Sequence, residues 1–311
     1  MTEIAASEPG PQPDTIRIRL RRFLGRDAAL GYTLALPLVL FTLGMLIYPF
    51  TSALILSFQD KLVGQAPRFI GLDNYRRLLL SDTTFRQVVV NTLLYTIVTV
   101  VFKLIIGMGM AITLHQSFKF RGIARGVMLF PYVTPDLVVA FTWRWIFDAT
   151  FGVLNYILKS LGLISVNIAW MSSAPTALGA VIIANIWRGF PFFGITLLAG
   201  LQAIPADNYE AAEIDGASVF QRFRHITLPA LKAIILVATV LSTIWTFNDF
   251  TLLYAMTGGG PLDQTHIFAT YTYVLSFKYN RIGYAMSVTA MMVPILVVLI
   301  MVLAPKMFRE E

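Results

Sequence analysis

The sequence contains no cysteine among its 311 residues, and only 13% of those residues are charged. The absence of cysteine excludes disulfide bonds, thiolate catalysis and cysteine-based metal sites. A soluble domain usually carries about 25% charged residues, and this chain has too few to solvate the surface of a globule of its size. The composition therefore argues against a soluble enzyme, and equally against a disordered or collagen-like chain.

Several motifs of catalysis and cofactor binding are also missing. No GxxxxGK[ST] segment is present, so the chain has no loop that could bind nucleotide phosphates. There is no GxSxG serine, no HExxH pair, and no pair of Asp residues on facing hydrophobic segments. The three histidines, His115, His225 and His266, lie far apart. We therefore expect no catalytic residues, no metal site and no cofactor bound by this chain. The net charge of +7 indicates basic loops beside a membrane rather than a nucleic-acid partner.

Long apolar runs dominate what is present. Hydrophobic residues make up 57% of the chain, and the mean hydropathy is +0.70. Because a membrane-crossing helix needs about 20 mainly apolar residues, six stretches qualify: Leu30–Leu56, Val88–Leu114, Ala124–Phe147, Ala177–Leu201, Ala233–Met256 and Tyr284–Leu303. The third is interrupted by Pro131, Pro135, Asp136 and Arg144, which is tolerable only where it faces protein or a water-filled cavity. The predicted fold class is an all-α integral membrane protein with six transmembrane helices.

The distribution of Lys and Arg predicts the orientation of these helices. With both termini in the cytoplasm, the cytoplasmic segments carry thirteen basic residues and the outer loops eight, in agreement with the positive-inside rule. We therefore divide the chain into a disordered, basic cytoplasmic arm (1–27), a transmembrane domain (28–305) and a cytoplasmic tail (306–311). Within the domain, the loop 203–229 between the fourth and fifth predicted spans faces the cytoplasm.

This loop has the pattern of a short helix followed by a turn. Asp207 is expected to cap the helix, with Glu210 three residues on completing a capping box. Gly216 permits a turn or a close contact, and Pro229 suits the start of the next helix. Phe220, Phe223 and Ile226 form an apolar stripe. From these residues alone, an ordinary amphipathic loop remains an equal alternative.

The run EAAEIDGASVFQRFRHITLP (210–229) resembles the cytoplasmic EAA loop of the permease subunits of binding-protein-dependent ABC importers. Other stretches resemble the sugar-transporting, maltose-type branch, in particular the first-permease members with a GGGP element: Tyr48-Pro49, Leu56-Ser57-Phe58, Gly71-Leu72-Asp73-Asn74-Tyr75 and Thr257-Gly258-Gly259-Gly260-Pro261. The resemblance covers residues 28–305. The extra N-terminal spans and the large outer insertion of the maltose-type prototype are absent here.

The resemblance implies a type I ABC importer permease in a bacterial inner membrane. Its expected partners are a second permease subunit in a heterodimer, two cytoplasmic ATPases, an extracytoplasmic binding protein, a sugar substrate and the lipid bilayer. ATP and Mg would be bound and ATP hydrolysed on the ATPases, so this chain is not expected to be an enzyme. The residues expected to couple it to the ATPase are Glu210, Ala211, Ala212, Asp215, Gly216, Phe223 and Pro229.

A candidate substrate pathway follows from polar residues at helical spacing in two spans. They are Asn185, Arg188, Gly189 and Phe192 in the fourth, and Ser242, Trp245, Thr246, Asn248 and Asp249 in the fifth. Ionisable groups at membrane depth usually face a cavity and pair, and aromatic rings beside hydrogen-bonding groups suit sugars. Two hypotheses remain for Arg188: an ion pair with Asp249 that binds nothing, or recognition of an anionic group on the substrate. Lys103, deep in the second span, is interpreted as structural.

The predicted function is therefore that of a permease subunit for a carbohydrate. Two alternatives remain open. One is a permease for a glycerol-phosphate-like molecule, a polyamine or another polar solute. The other is a carrier that works without an ATPase or a binding protein, although this leaves the EAA-like loop unexplained.

Overall fold

The computed structural model describes residues 26–303, and side chains from residue 29 to residue 302. The predicted arm up to residue 25 and the predicted tail 306–311 lie outside the described residues. Helices dominate the described part, in this order: α1 (Arg26–Ser57), α2 (Asp73–Leu80), α3 (Thr83–His115), α4 (Arg121–Val133), α5 (Asp136–Ile146), α6 (Val153–Ser160), α7 (Ala174–Gln202), α8 (Ala206–Ile214), α9 (Val219–Arg222), α10 (Leu228–Phe247), α11 (Thr251–Thr257), α12 (Phe268–Tyr273) and α13 (Ile282–Leu303).

Four short elements complete this description. Strands β1 (Gln59–Asp60) and β2 (Arg68–Phe69) form an antiparallel pair after α1, with Gln59 opposite Phe69. Two π-helical turns, π1 (Phe223–Thr227) and π2 (Val274–Lys278), lead into α10 and out of α12. The chain divides into two compact units, residues 1–53 and 54–311. Of the first unit, the described residues are most of α1.

The described residues contain five helices that are long and apolar enough to cross a membrane, plus one bent pair that counts as a sixth if it is one span. The five correspond to the predicted first, second, fourth, fifth and sixth spans. The fold class is therefore confirmed as a helical membrane protein. The bent pair, α4 and α5, corresponds to the predicted third span.

The predicted third span, Ala124–Phe147, is broken into two helices near the prolines that interrupt it. Its two helices differ in direction by 95°. The chain between them is extended, with ψ of 129° at Thr134 and 142° at Pro135. A residue before proline is pushed away from the helical region because the proline ring clashes with its backbone. Thr134 therefore ends α4, and Asp136 begins α5 in a new direction.

The predicted fifth span, Ala233–Met256, also ends too late. Helix α10 stops at Phe247, and α11 begins at Thr251. Between them, Asp249 Oδ1 accepts a hydrogen bond from the backbone N–H of Leu252 (3.3 Å), as a capping carboxylate does at a helix start. The apolar pattern continues through the break, so hydropathy alone did not reveal it.

The largest packing contact in the second unit is between α3 and α7. A glycine on each helix permits their close approach. A Cβ on Gly107 would lie against Phe193 Cβ and 2.9 Å from the carbonyl oxygen of Phe190, and one on Gly194 would meet the side chain of Met110. The side chains of Leu114 and Leu197 are buried in the apolar cluster beside them. This packed pair is the frame on which the polar side chains described below are held.

The Gly71–Tyr75 stretch and the segment after the glycine-rich stretch Thr257–Pro261 are both held by buried asparagines. Asn74 Nδ2 donates hydrogen bonds to the carbonyl oxygens of Ser57 (2.9 Å) and Gln59 (3.0 Å). Asn91 Nδ2 donates to the carbonyl oxygens of Gln264 (2.7 Å) and His266 (3.1 Å), in the segment that follows the glycine-rich stretch. Burial lowers the pKa of the His266 imidazole, so this ring is neutral near pH 7.

Candidate functional site

A cavity of about 830 Å³ lies between α5, α7 and the end of α10. All nine residues of the candidate pathway line it: Asn185, Arg188, Gly189, Phe192, Ser242, Trp245, Thr246, Asn248 and Asp249. The structure therefore brings the two polar helix faces together. Residues of α7 reach the cavity because they recur every three or four positions along the helix, while Phe193 and Gly194 of α7 pack against Gly107 and Met110 of α3.

Asp249 is the centre of a buried hydrogen-bond cluster in this cavity. Its Oδ2 accepts hydrogen bonds from the Tyr95 hydroxyl (2.7 Å) and from Asn185 Nδ2 (2.6 Å). Asn185 Nδ2 also lies 2.7 Å from the Tyr95 hydroxyl. Tyr95 is fully buried on α3 and Asn185 is 3% exposed on α7. The carboxylate thus joins three parts of the fold at the point where α10 ends. Sequence reasoning missed Tyr95, because nothing in its apolar neighbourhood distinguishes it from a core aromatic.

Arg188 forms an ion pair with Asp136, so the hypothesis of an Arg188–Asp249 pair is wrong. The physical reason is the break in the third predicted span, which places Asp136 at the first position of α5 and on the wall of the cavity. The carboxylate of Asp249, in contrast, already accepts hydrogen bonds from Tyr95 and Asn185. The side chains of Arg188 and Asp136 are 36% and 33% exposed, and Arg188 Nε is buried without a hydrogen-bond partner.

Lys103 is a second cation in the same cavity, although the sequence suggested only a structural role for it. The residue lies in the middle of α3 and is 6% exposed. Its side chain passes over Gly189, where any Cβ would meet Lys103 Cε and Nζ. Its ammonium group donates a hydrogen bond to Thr246 Oγ1 (3.1 Å). A lysine at membrane depth was the signal that could have identified it.

One wall of the cavity is aromatic. The ring of Phe192 lies 5.0 Å from that of Trp245, centroid to centroid, in an edge-to-face arrangement, and 6.4 Å from the stacked ring of Tyr132. Trp245 is 53% exposed. Tyr132 comes from α4 and was not predicted. The cavity therefore combines flat apolar faces with hydroxyl, amide, carboxylate and ammonium groups, an arrangement that can stack on a polyhydroxylated ring and bind its hydroxyls.

The predicted coupling loop 203–229 forms a helix, a turn and a second helix. Helix α8 ends in a Schellman motif: the N–H of Gly216 donates to the carbonyl of Glu213 (3.0 Å), and that of Ala217 donates to the carbonyl of Ala212 (2.9 Å). Gly216 has a φ of +77°, which residues with a Cβ rarely adopt. Among the described residues, no atom outside its chain neighbours lies within 4 Å of a Cβ built there. Within this chain, Gly216 is therefore required by the turn rather than by a close contact.

The expected capping box of Asp207 and Glu210 is wrong. Pro205 is the N-cap of α8 and makes no side-chain capping bond. Because the proline already has a fixed φ close to the helical value, the helix begins at Ala206, and Asp207 falls within its first turn. The capping box is instead formed by Ser218 and Gln221 at the start of α9. Pro229 lies in the first turn of α10, as predicted.

An apolar groove of about 890 Å³ lies beside this loop; we refer to it as the loop groove. Its lining includes two of the predicted coupling residues, Glu210 and Phe223, together with residues of α3, α7 and α9 that were not among the predicted coupling residues. These are Ile112, His115 and Gln116 of or just after α3, Leu201 and Ile204 of or just after α7, and Val219, Phe220 and Arg222 of α9. Ala211, Ala212, Asp215 and Gly216 do not line it. Ala211, Asp215 and Gly216 are exposed, and Ala212 is half-buried.

Two contacts set the shape of the loop groove. The hydroxyl of Tyr209 lies 2.9 Å from Thr227 Oγ1, which joins α8 to π1. Arg222 forms an ion pair with Glu213 (2.8 Å), although the exposed Glu213 makes this contact worth little in stability. The groove is therefore built across the junction of the loop with α3 and α7. A side chain inserted there would contact the loop and two of the long helices at once.

A polar cavity between broken spans, together with a groove where a loop meets the long helices, defines a solute permease of the membrane. Residues 103–307 match the family described as "Binding-protein-dependent transport system inner membrane component". The chain belongs to this family.

Proteins that are similar in sequence or in structure support this assignment. The chain is 38% identical over 260 residues to the trehalose/maltose transport system permease protein MalF of Thermococcus litoralis, covering 83% of this chain and 85% of that one. It is 33% identical over 268 residues to the sulfoquinovosyl glycerol transport system permease protein SmoG of Agrobacterium fabrum, covering 86% of each. A solved bacterial ABC transporter involved in the import of the acidic polysaccharide alginate contains a chain with the same fold. That chain has a TM-score of 0.76 and 22% identity, over 94% of this chain and 99% of its own length.

Proposed function

We propose that this chain is one of two permease subunits of an ABC importer, and that its cavity is half of the pathway for a carbohydrate. The observation that carries this proposal is the cavity itself, in which an aromatic wall faces a cluster of hydrogen-bonding and charged groups. Sugars present apolar ring faces and polar edges, so a site that offers both kinds of contact suits them. The names of two similar proteins, which refer to trehalose and maltose and to sulfoquinovosyl glycerol, support the same substrate class.

The partners follow from the proposed role. A binding protein outside the membrane would deliver the sugar, a second permease of similar fold would complete the pathway, and two ATPases would bind ATP and Mg and hydrolyse ATP. Both termini of this chain would then lie in the cytoplasm, as would the loop 203–229. The excess of basic residues in the predicted cytoplasmic segments supports this orientation.

The loop would transmit movement of the ATPase to the helices. In this role the loop groove receives an apolar segment of the ATPase surface. Glu210 and Phe223 contact that segment, while Ala211 and Ala212 allow a close approach. Asp215 and Gly216 hold the turn that positions α8, and Pro229 marks where the loop joins α10. The support for these roles is the position of the groove, which is lined by the loop and by the ends of α3 and α7.

Uptake by the complete importer in proteoliposomes tests the substrate class. We expect uptake of labelled sugars that requires both ATP and the binding protein. Trp245→Ala should reduce this uptake about three- to tenfold, because an aromatic contact contributes roughly 0.5–1.5 kcal/mol. Trp145→Ala is the matched control: Trp145 is similarly exposed, at 58%, but does not line the cavity.

Two results would contradict the proposal. Uptake of a polyamine or of glycerol phosphate in preference to every sugar would show that the transported solute is not a carbohydrate. Uptake by this chain without ATP or a binding protein would replace the importer with a carrier.

A further inference from the structure

Lys103 is a buried lysine that forms no ion pair with any carboxylate among residues 29–302. Its ammonium group donates to Thr246 Oγ1, a neutral oxygen. Removing an ammonium group from water costs several kcal/mol unless an opposite charge or several hydrogen bonds compensate. A charged lysine at membrane depth therefore calls for a partner that the described residues do not place in contact with it.

The two carboxylates of the cavity already have other interaction partners. Asp136 pairs with Arg188, which also accounts for the charge of that arginine. Asp249 accepts hydrogen bonds from Tyr95 and Asn185 at one oxygen and from the Leu252 N–H at the other. Neither carboxylate forms an ion pair with Lys103, although Asp249 is near enough to act on it electrostatically. Lys103 itself lines the cavity, where a bound solute could contact it.

Gly189 explains how a residue of α3 reaches this space. The lysine side chain passes over the backbone of α7 at the position where any larger residue would place its Cβ. Gly189 is on the cavity wall together with Lys103 and Thr246. The three residues form one small unit: the glycine leaves a passage, the lysine fills it, and the threonine orients the ammonium group.

We propose that Lys103 binds a carboxylate or sulfonate group of the transported sugar, so that the substrate of this permease is an anionic carbohydrate. The proposal rests on the proposed function, since it concerns the cargo of the same cavity. An anionic group in the cavity would supply a negative charge as the partner of the Lys103 ammonium group. Arg188 is not needed for this contact, because its charge is already balanced by Asp136.

The test uses matched pairs of sugars that differ in one charge: glucose and glucuronate, galactose and galacturonate, and glucosylglycerol and sulfoquinovosyl glycerol. The complete importer is reconstituted in proteoliposomes, and the KM of uptake is measured for each sugar. We expect the anionic member of at least one pair to be transported in preference to its neutral counterpart. Lys103→Met should raise the KM for that sugar about ten- to hundredfold, the loss typical of a charge-assisted hydrogen bond.

Three variants distinguish charge recognition from a structural role. Lys103→Arg keeps the charge and should retain the preference for the anionic sugar. Gly189→Ala would push the lysine side chain aside without removing it, and should reduce the preference for the anionic sugar. This variant therefore tests the contact even if Lys103→Met fails to assemble. Lys159→Met makes the same change at an exposed lysine of α6 and should leave the KM unchanged.

The outcomes separate this inference from the function on which it rests. Transport of neutral sugars alone, or equal loss of neutral and anionic sugars in Lys103→Met, overturns the inference and leaves the carbohydrate permease standing. Equal loss would indicate that Lys103 pairs with a carboxylate of the second permease. Failure to transport any sugar of either charge overturns the proposed function, and the inference with it.

Discussion

Gly107→Val is expected to destroy the folded state of this protein in the membrane. A Cβ at this position would lie against Phe193 Cβ, 2.9 Å from the carbonyl oxygen of Phe190 and 3.0 Å from the backbone nitrogen of Gly194. Backbone atoms of α7 cannot move aside as a flexible side chain can, so α3 and α7 would have to separate. Overpacking of this kind costs about 3 kcal/mol or more, and a β-branched residue adds to the volume that must be accommodated.

The measurement is the thermal stability of the detergent-purified protein, followed by size-exclusion chromatography. Gly109→Val is a closely matched control, because Gly109 lies two residues further along α3. Apart from the adjoining backbone of α3, no described atom lies within 4 Å of a Cβ built there. We expect Gly109→Val to behave as the wild type and Gly107→Val to aggregate or to melt at a much lower temperature. Equal stability of the two variants would mean that α3 and α7 do not pack as described.

Asp249→Ala is expected to reduce sugar uptake at least about a hundredfold. The change removes the acceptor of the Tyr95 hydroxyl and of one of the two hydrogen bonds that Asn185 Nδ2 donates, at about 1–3 kcal/mol for each buried donor left unpaired. It also removes the bond from the Leu252 N–H that helps to start α11. The end of α10 and the start of α11 would then shift, and the cavity wall that they form would change shape.

Asp249→Asn separates the hydrogen bonds from the charge. Its amide oxygen can accept from the same two donors, so we expect uptake between those of the wild type and of Asp249→Ala. Asp60→Ala removes an exposed carboxylate and serves as the control, with uptake unchanged. If Asp249→Ala transports as the wild type does, the buried cluster does not hold the pathway.

Much of the architecture could be predicted from local patterns in the sequence. The apolar runs located the long helices, and helical spacing placed the polar residues of α7 and α10 on faces that meet at one cavity. The loop 203–229 was placed correctly between α7 and α10. These features depend on residues close together in sequence, whose mutual positions are determined by helix geometry.

What the sequence could not predict depends on contacts between distant residues. The partner of Arg188 follows from the direction of α5 after Pro135, and a change of direction leaves no periodic pattern. Lys103 reaches the cavity only because Gly189, on another helix, leaves room for it. The N-cap of α8 was misassigned because a proline and an acidic residue near the helix start are both plausible caps, and only backbone geometry distinguishes them.

Capture of an ATPase by the purified chain tests whether the loop 203–229 couples this permease to it. The tagged chain is co-expressed with the second permease and the ATPase, and the purified complex is assayed for ATPase content and for hydrolysis stimulated by the binding protein. Gly216→Val opposes the φ of +77°, a strain of about 1–2 kcal/mol, whereas Gly216→Asn is compatible with it. Glu210→Ala removes a charged group from the loop groove.

We predict that the wild type and Gly216→Asn retain the ATPase and its stimulation. Gly216→Val and Glu210→Ala should reduce the ATPase content of the complex, its stimulated hydrolysis, or both, about tenfold. A loss of that factor is expected from a free-energy change of about 1–2 kcal/mol. Retention of full capture and stimulation by both of these variants would contradict the coupling role of the loop. If no ATPase co-purifies with the wild type and the chain alone moves sugar into liposomes, the protein is a carrier.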